Sequence, residues 1–273
     1  MSRPLHRQTL VGVGLALMLI AAWAALLGYG LFVHRWSAAD VVWVPLLVAL
    51  ICWLDAGLFI VAHDAMHGTL APTLPRLNRA LGALCMGLYA GFLIGRFDGR
   101  HMDHHRAPGT AHDPDFHLQG RRFWPWYANF MRQYTGLPEI LGVATMTALF
   151  VFGLGAPFER VMLFWALPAI LSSVQLFAFG TWLPHRLDQA QDGGFADHHR
   201  ARSNAYGLWA SLFTCFHFGY HHEHHLRPDA PWWRLPAVRR QALAGELALR
   251  PAGGSTAARA APSAAAAGSR RSG

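Results

Sequence analysis

The chain has 273 residues, 53% of them hydrophobic and only 14% charged, and its mean hydropathy is positive. A soluble globular chain carries about 25% charged residues, so the composition excludes a soluble domain and points to a membrane protein. The net charge of +8 comes from arginine without lysine, and its placement along the chain has a membrane explanation that requires no nucleic acid.

Leu10 to Val33 carries no charged residue, and Val41 to Ala62 carries only Asp55. Each run can cross roughly 30 Å of hydrocarbon at about 1.5 Å per residue. Because the second follows almost at once, the pair reads as a helical hairpin and not as a cleaved signal peptide. Leu81 to Ile94 is shorter and rich in glycine, which suits a re-entrant or interfacial helix. Ile140 to Gly155 and Val161 to Leu183 form a second apolar pair around the turn Ala156-Pro157-Phe158-Glu159-Arg160. The expected fold is all-α: one membrane-embedded domain over residues 1–250, with about four transmembrane helices, one short re-entrant or interfacial helix and a histidine-rich cap. Residues 251–273 are mainly Ala, Gly, Ser and Arg; such a tail has little to bury and is expected to be disordered and to brush anionic lipid.

With four spans and the N-terminus inside, only Arg35 and Arg160 fall on the outer side and nearly all other arginines fall inside. This is the positive-inside distribution, and it places both termini in the cytoplasm. Cys52, Cys85 and Cys215 lie far apart in apolar segments, so no thiolate zinc site or disulfide is argued.

The chain holds 17 histidines, and they cluster. His63 and His67 are four apart at the end of the second span; on a continuing helix they share a face and reach one centre. His-x-x-His-His occurs twice, at His101, His104 and His105 and at His221, His224 and His225. On a helix its first two members are expected to share a face, while the third points to a neighbouring ion. Under the four-span topology all three boxes lie on the cytoplasmic side and only His34 lies outside. Clustered imidazoles beside an apolar phase are costly unless they are paired or ligating, which points to metal.

Neutral imidazole suits zinc, copper, iron and nickel, and eight or nine such ligands exceed the four positions of one tetrahedral zinc. Two ions follow. Soluble di-iron bundles use glutamates and Glu-x-x-His; this chain lacks that arrangement and reads as a histidine-rich membrane counterpart. Asp64, Asp103 and Glu223 stand beside box histidines and are candidates to accept the second ring N–H of a ligand, although solvated loop acids read equally well. Asp113 and Asp115, in Ala111-His112-Asp113-Pro114-Asp115-Phe116, are further candidates for that supporting role.

At these boxes the chain resembles the membrane fatty-acid desaturase and hydroxylase superfamily. The text around them narrows the resemblance to bacterial β-carotene ketolases: His63-Asp-Ala-Met-His67-Gly-Thr-Leu-Ala-Pro72, His104-His-Arg-Ala-Pro-Gly-Thr-Ala-His-Asp-Pro-Asp-Phe116, Trp182-Leu-Pro-His-Arg186, Ala201-Arg-Ser203, and Phe216-His-Phe-Gly-Tyr-His-His-Glu-His-His-Leu226 running on to Pro231-Trp-Trp-Arg-Leu-Pro236. The resemblance covers roughly residues 41–236. Carried over residue by residue, it implies His63, His67, His101, His104, His105, His221, His224 and His225 as ligands, with His185 after the last span as the ninth. His217 is a weaker candidate, because relatives in the wider superfamily can carry Asn there. His199 matches a family histidine, whereas His198 and His222 are left out.

The resemblance further implies a bacterial cytoplasmic-membrane enzyme with a cytoplasmic active site holding two iron ions. It would use O2 to oxidise the allylic ring carbon of β-carotene twice and lose water, giving echinenone and then canthaxanthin, in the biosynthesis of keto-carotenoids such as astaxanthin. The substrate would enter from the bilayer, and electrons would come from a separate donor of ferredoxin type, since no cytochrome, ferredoxin or nucleotide motif is present. The 11 Trp and 17 Phe suit an apolar substrate tunnel, and interfacial belts account for them equally. A carotenoid ring hydroxylase or a membrane fatty-acid desaturase would carry the same metal site. A metal transporter would line a path across the bilayer with polar ligands, where this chain's spans hold almost none. A zinc hydrolase would carry His-Glu-x-x-His, which is absent from the sequence.

Overall fold

A computed structural model describes residues 3–186, 195 and 197–245. Among these residues the regular structure is helical, without strands. In chain order the helices are α1 (Arg3–Val33), α2 (Asp40–Met66), α3 (Pro75–Ala90) and α4 (Ile94–Arg106), α5 (Phe123–Tyr134) and α6 (Leu137–Gly153), then α7 (Phe158–His185). The short helices α8 (Leu208–Cys215), α9 (His221–Leu226) and α10 (Leu235–Leu243) follow. The expected tail at 251–273 lies outside the described residues.

Helices α1, α2 and α7 are each long and apolar enough to cross a membrane. Two bent pairs complete the set: α3 and α4 meet at 103°, and α5 and α6 at 86°. The four expected spans therefore resolve into three continuous ones and a fourth, at Ile140 to Gly155, that is the second arm of a bent pair. If each bent pair is one broken span, the number of crossings reaches five. The bends have local causes. Gly91 ends α3 in the left-handed region (φ 71°), which glycine enters without steric cost. At the other bend Pro138 starts α6, and Glu139 accepts the Gly136 N–H at 2.8 Å, so a new helix begins there.

The core centres on α2, which packs against α1, α3 and α7 and is buried along most of its second half, from Ile51 through Ala65. Its one mid-span acid, Asp55, accepts the Trp23 Nε1–H at 2.7 Å, a partner that a buried carboxyl requires. At the end of α2 remote from His63, Arg160 donates to the carbonyl oxygens of Gly30, Leu31 and His34 at 2.9–3.3 Å. These are free carbonyls at the wide last turn of α1, so the cation joins the start of α7 to the end of α1. His34 and Arg160 thus lie at the end of α2 opposite the box that holds His63, in keeping with the four-span reading.

The elbow between α3 and α4 touches α6 through two glycines. A Cβ on Gly142 would lie 2.0 Å from the Gly91 carbonyl oxygen, and one on Gly91 would lie 2.4 Å from that of Gly142. Both obstacles are backbone and cannot swing away. Gly142→Ala is therefore expected to destabilise the protein by about 1–3 kcal/mol through overpacking, seen as a lower thermal midpoint in detergent. Gly87→Ala, which meets nothing within 4 Å, is expected to be neutral or slightly stabilising. Equal midpoints for the two variants would contradict this packing of the elbow.

Candidate metal centre

Four segments deliver the histidines. His63 and His67 sit at the end of α2, His101, His104 and His105 in the last two turns of α4, His185 at the end of α7, and His221, His224 and His225 on α9. The fold gathers all nine into two adjoining groups: His63, His67, His101, His105 and His224, and His104, His185, His221 and His225. Within each group the ligand atoms lie within 4.8 Å of one another. The groups adjoin through His105 and His225, whose ring centroids are 4.4 Å apart.

The sharing of faces differs from the expectation. In each His-x-x-His-His box the first and third members enter one group and the middle member crosses to the other. At about 100° per residue, a residue four positions on returns to within roughly 40° of the first, while one three positions on is about 60° away. The i,i+4 pair therefore converges better, and the boxes interlock: α4 gives two rings to one group and one to the other, and α9 does the reverse.

The donor set itself tests whether a cation fits. Nε2 of His101 faces those of His67 at 2.8 Å and His105 at 3.2 Å, and Nε2 of His224 faces those of His105 at 2.9 Å and His63 at 3.2 Å. In the second group Nε2 of His225 faces those of His221 at 3.0 Å and His104 at 3.1 Å. An imidazole Nε2 carries either one hydrogen or one lone pair, so no assignment of protons satisfies several neighbours at once; a cation between the rings accepts every lone pair. His185 makes the case most simply. Its Nδ1–H donates to the Arg200 carbonyl oxygen at 2.8 Å, which leaves Nε2 a bare acceptor, buried and without a protein partner. The residues fit two imidazole-bound ions.

Burial, with neighbouring imidazoles adding to it, holds His221, His224 and His225 well below the usual histidine range and lowers His67 to about 4. These rings are neutral near pH 7, the form that binds metal.

Of the acids, Asp113 supports a ligand most directly. Its Oδ1 accepts His104 Nδ1–H at 2.9 Å and the Asp115 N–H at 2.8 Å, and its Oδ2 accepts the Gly109 N–H at 2.7 Å. Burial alone would raise its pKa, but the bond from His104 and the neighbouring dipoles hold it below the usual carboxylate value. The loop needs Gly109 at φ 66° to bring that N–H round. Asp64 Oδ1 lies 3.5 Å from His63 Nδ1, and its Oδ2 accepts the Trp232 N–H at 3.0 Å. Burial lifts Asp115 to about 6.

Other candidates lie elsewhere. Asp103 is exposed and paired with Arg106, because the residue before His104 points about 100° away from it. Glu223 accepts from Arg239 at 2.9 Å and from the Ser203 hydroxyl; it anchors α9 and supports no ring nitrogen. His217 is in neither group. Phe216 and His217 take left-handed conformations (φ 47° and 64°), and that turn aims His217 Nδ1 at the Ser211 hydroxyl, 3.1 Å away. Asparagine also tolerates this conformation. The His199 ring lies 6.0 Å from that of His225, beside the groups and in neither. Sequence reading gave no role to Arg200, which holds His185 by its carbonyl and ties down the supporting loop by donating to the Gly109 carbonyl at 2.8 Å.

An apolar cavity of about 70 Å³ opens onto both groups, with His63, His101, His104 and His221 on its wall. Phe59, Tyr89, Phe92, Phe97, Phe130 and Leu176 form much of the rest. Phe218 lies between the groups, its ring 5.0 Å from His63 and 5.2 Å from His221. Only glycine fits at position 180 beside it, since a Cβ there would lie 2.1 Å from the Phe218 ring.

The Fatty acid desaturase family model matches residues 41–145 and 137–252, which include all nine histidines. The chain is 45% identical over 234 residues to a β-carotene ketolase of Paracoccus sp. strain PC1, covering 85% of this chain and 94% of that one. It is 47% identical over 222 residues to a β-carotene ketolase of Paracoccus sp. strain N81106, covering 81% and 89%. With a zeaxanthin 4-ketolase of Chlamydomonas reinhardtii it shares 38% identity over 251 residues, 89% of this chain and 56% of that protein. Two histidine groups on an apolar cavity, in a chain matched along most of its length by these proteins, establish that it belongs to the fatty acid desaturase family, in the group formed by the β-carotene ketolases.

Proposed function

We propose that the chain is a β-carotene 4-ketolase, an integral membrane oxidoreductase that converts the ring CH2 beside the ring double bond into a ketone. The observation that carries this reading is identity of 45% and 47% to two β-carotene ketolases across more than four fifths of the chain. The apolar cavity on both histidine groups supports it, because a carotenoid ring offers almost nothing but apolar surface.

The two histidine groups are proposed to hold two iron ions, five imidazoles serving one and four the other. Bound iron supplies O2 activation and the oxidant for an allylic C–H bond. The protein supplies position and exclusion of water. Asp113 and the Arg200 carbonyl fix the Nδ1–H tautomers of His104 and His185, so their Nε2 lone pairs are set towards the ion before it arrives. The phenylalanine walls hold the ring against the histidines. Two hydroxylations at one carbon followed by loss of water consume two O2 and four electrons per ketone. The substrate is proposed to come from the bilayer and the electrons from a separate donor of ferredoxin type, and the arginine distribution supports a site on the cytoplasmic side of a bacterial inner membrane.

Expressed in a bacterium that makes β-carotene, the chain is expected to yield echinenone and then canthaxanthin, with the pigment shifting from yellow-orange to red; chromatography with mass measurement checks it. A 3-hydroxylated product alone would indicate a hydroxylase, and untouched β-carotene with new double bonds in acyl lipids a desaturase.

The ligand assignment is tested separately. His185→Ala is expected to lower bound iron from about two ions towards one and to abolish turnover, whereas His34→Ala retains both. Asp113→Asn should cost roughly 10- to 100-fold in iron affinity or turnover, and Asp103→Asn should leave them nearly unchanged. Full iron content and activity in His185→Ala would remove that histidine from the set.

A further inference from the structure

One acid next to the histidines also faces the apolar cavity. Asp113 is fully occupied, but Asp115, two residues on, turns away from that work. Its backbone is pinned at both ends: its N–H donates to Asp113 at 2.8 Å, and its carbonyl accepts the Trp126 Nε1–H at 2.7 Å. The side chain is thereby held on the wall of the apolar cavity. There Oδ1 accepts the Tyr134 hydroxyl, Thr181 lies on the same wall, and Oδ2 stands 4.0 Å from His104 Nδ1, beyond hydrogen-bond reach.

The cavity thus has one polar patch, and it adjoins the metal-binding end. The other wall hydroxyls are differently placed. Tyr89 donates to the Ala169 carbonyl and Ser173 to the Ile170 carbonyl. Thr135, next in the chain to Tyr134, lines the same cavity, and its buried hydroxyl oxygen has no partner. A wholly hydrocarbon ring gives a buried carboxyl and an unpartnered hydroxyl nothing to bond. An oxygenated ring does.

We infer that Asp115 binds the alcohol formed by the first oxygenation and holds it for the second, and so determines that the product is a ketone. This rests on the ketolase reading. In the first round a ring C–H becomes C–OH, one atom of O2 entering and the other leaving as water, with two electrons from the external donor and two protons. The second round repeats this at the same carbon, and the resulting diol loses water to give C=O. Between rounds the alcohol can leave for the bilayer, which would end the reaction at hydroxylation. A hydrogen bond from the new hydroxyl to Asp115 opposes that loss and keeps the carbinol carbon at the histidine end.

The test is binding to the iron-loaded protein without reductant, so that nothing turns over, with tryptophan fluorescence reporting titrations of β-carotene and of 4-hydroxy-β-carotene in micelles. Wild-type protein is expected to prefer the alcohol. Asp115→Asn, which exchanges a charged acceptor for a neutral one, should lose roughly fivefold of that preference, with full iron content and the same affinity for β-carotene. Under turnover, the ratio of alcohol to ketone among its products should rise several-fold. Tyr134→Phe separates the two roles of the carboxyl: it leaves the acceptor in place and should keep the preference for the alcohol. The proposal is overturned if Asp115→Asn keeps the wild-type preference, if it loses both ligands equally or loses iron, or if Tyr134→Phe loses the preference as Asp115→Asn does. Failure of the ketolase reading is a different result, namely no 4-keto product from β-carotene with the wild-type chain.

Discussion

The arrangement of this protein depends on mutual exclusion among imidazole lone pairs. Eight of the nine rings are packed so that Nε2 atoms face one another at 2.8–3.2 Å, each with only one hydrogen or one lone pair to offer, and the ninth, His185, holds a buried Nε2 without a protein partner. Without a cation, such a cluster is a set of buried polar atoms that cannot all be satisfied, a costly condition in an apolar surrounding. With two cations it becomes the tie that joins α2, α4, α7 and α9. The helices bring the ligands together, and cations bound there would compensate the cost of having done so.

Helical geometry also divides the ligands between the two groups. The i,i+4 spacing sends the first and third members of each His-x-x-His-His box to one group, and the intervening histidine turns to the other. Neither group can therefore be dismantled without disturbing the helix that serves its neighbour. Hydrogen bonds from the second ring nitrogens reinforce this division. His104 rests on Asp113 and His185 on the Arg200 carbonyl, and Arg200 reaches across to the loop that carries Asp113.

Much of this could be read in the chain beforehand. Long apolar runs gave α1, α2 and α7, and the nine histidines brought together are those the boxes and the family resemblance named. The short apolar stretches were harder. Leu81 to Ile94 and Ile140 to Gly155 each prove to be one arm of a bent pair, and bends near 90° at Gly91 and Gly136 leave only a glycine and a nearby proline as their signal. Adjacency misled for Asp103 and Glu223, because a neighbour in sequence points to another side of a helix. His217 stands four residues before His221, but two consecutive left-handed residues turn it away. The carbonyl of Arg200 was illegible in principle, since any residue carries one. Conversely, Asp113 owes its position to a Pro-Gly loop whose outcome shows only once folded.

Two ions among imidazoles in interlocked groups would leave a spectroscopic mark. X-ray absorption at the iron edge, on protein purified from cells grown with ample iron and accompanied by elemental analysis, reads it. About two iron ions per chain are expected, with nitrogen-dominated near neighbours, the outer-shell scattering typical of imidazole, and no sulfur. A single ion per chain, or a spectrum showing sulfur or mainly carboxylate oxygen around the metal, would contradict that arrangement.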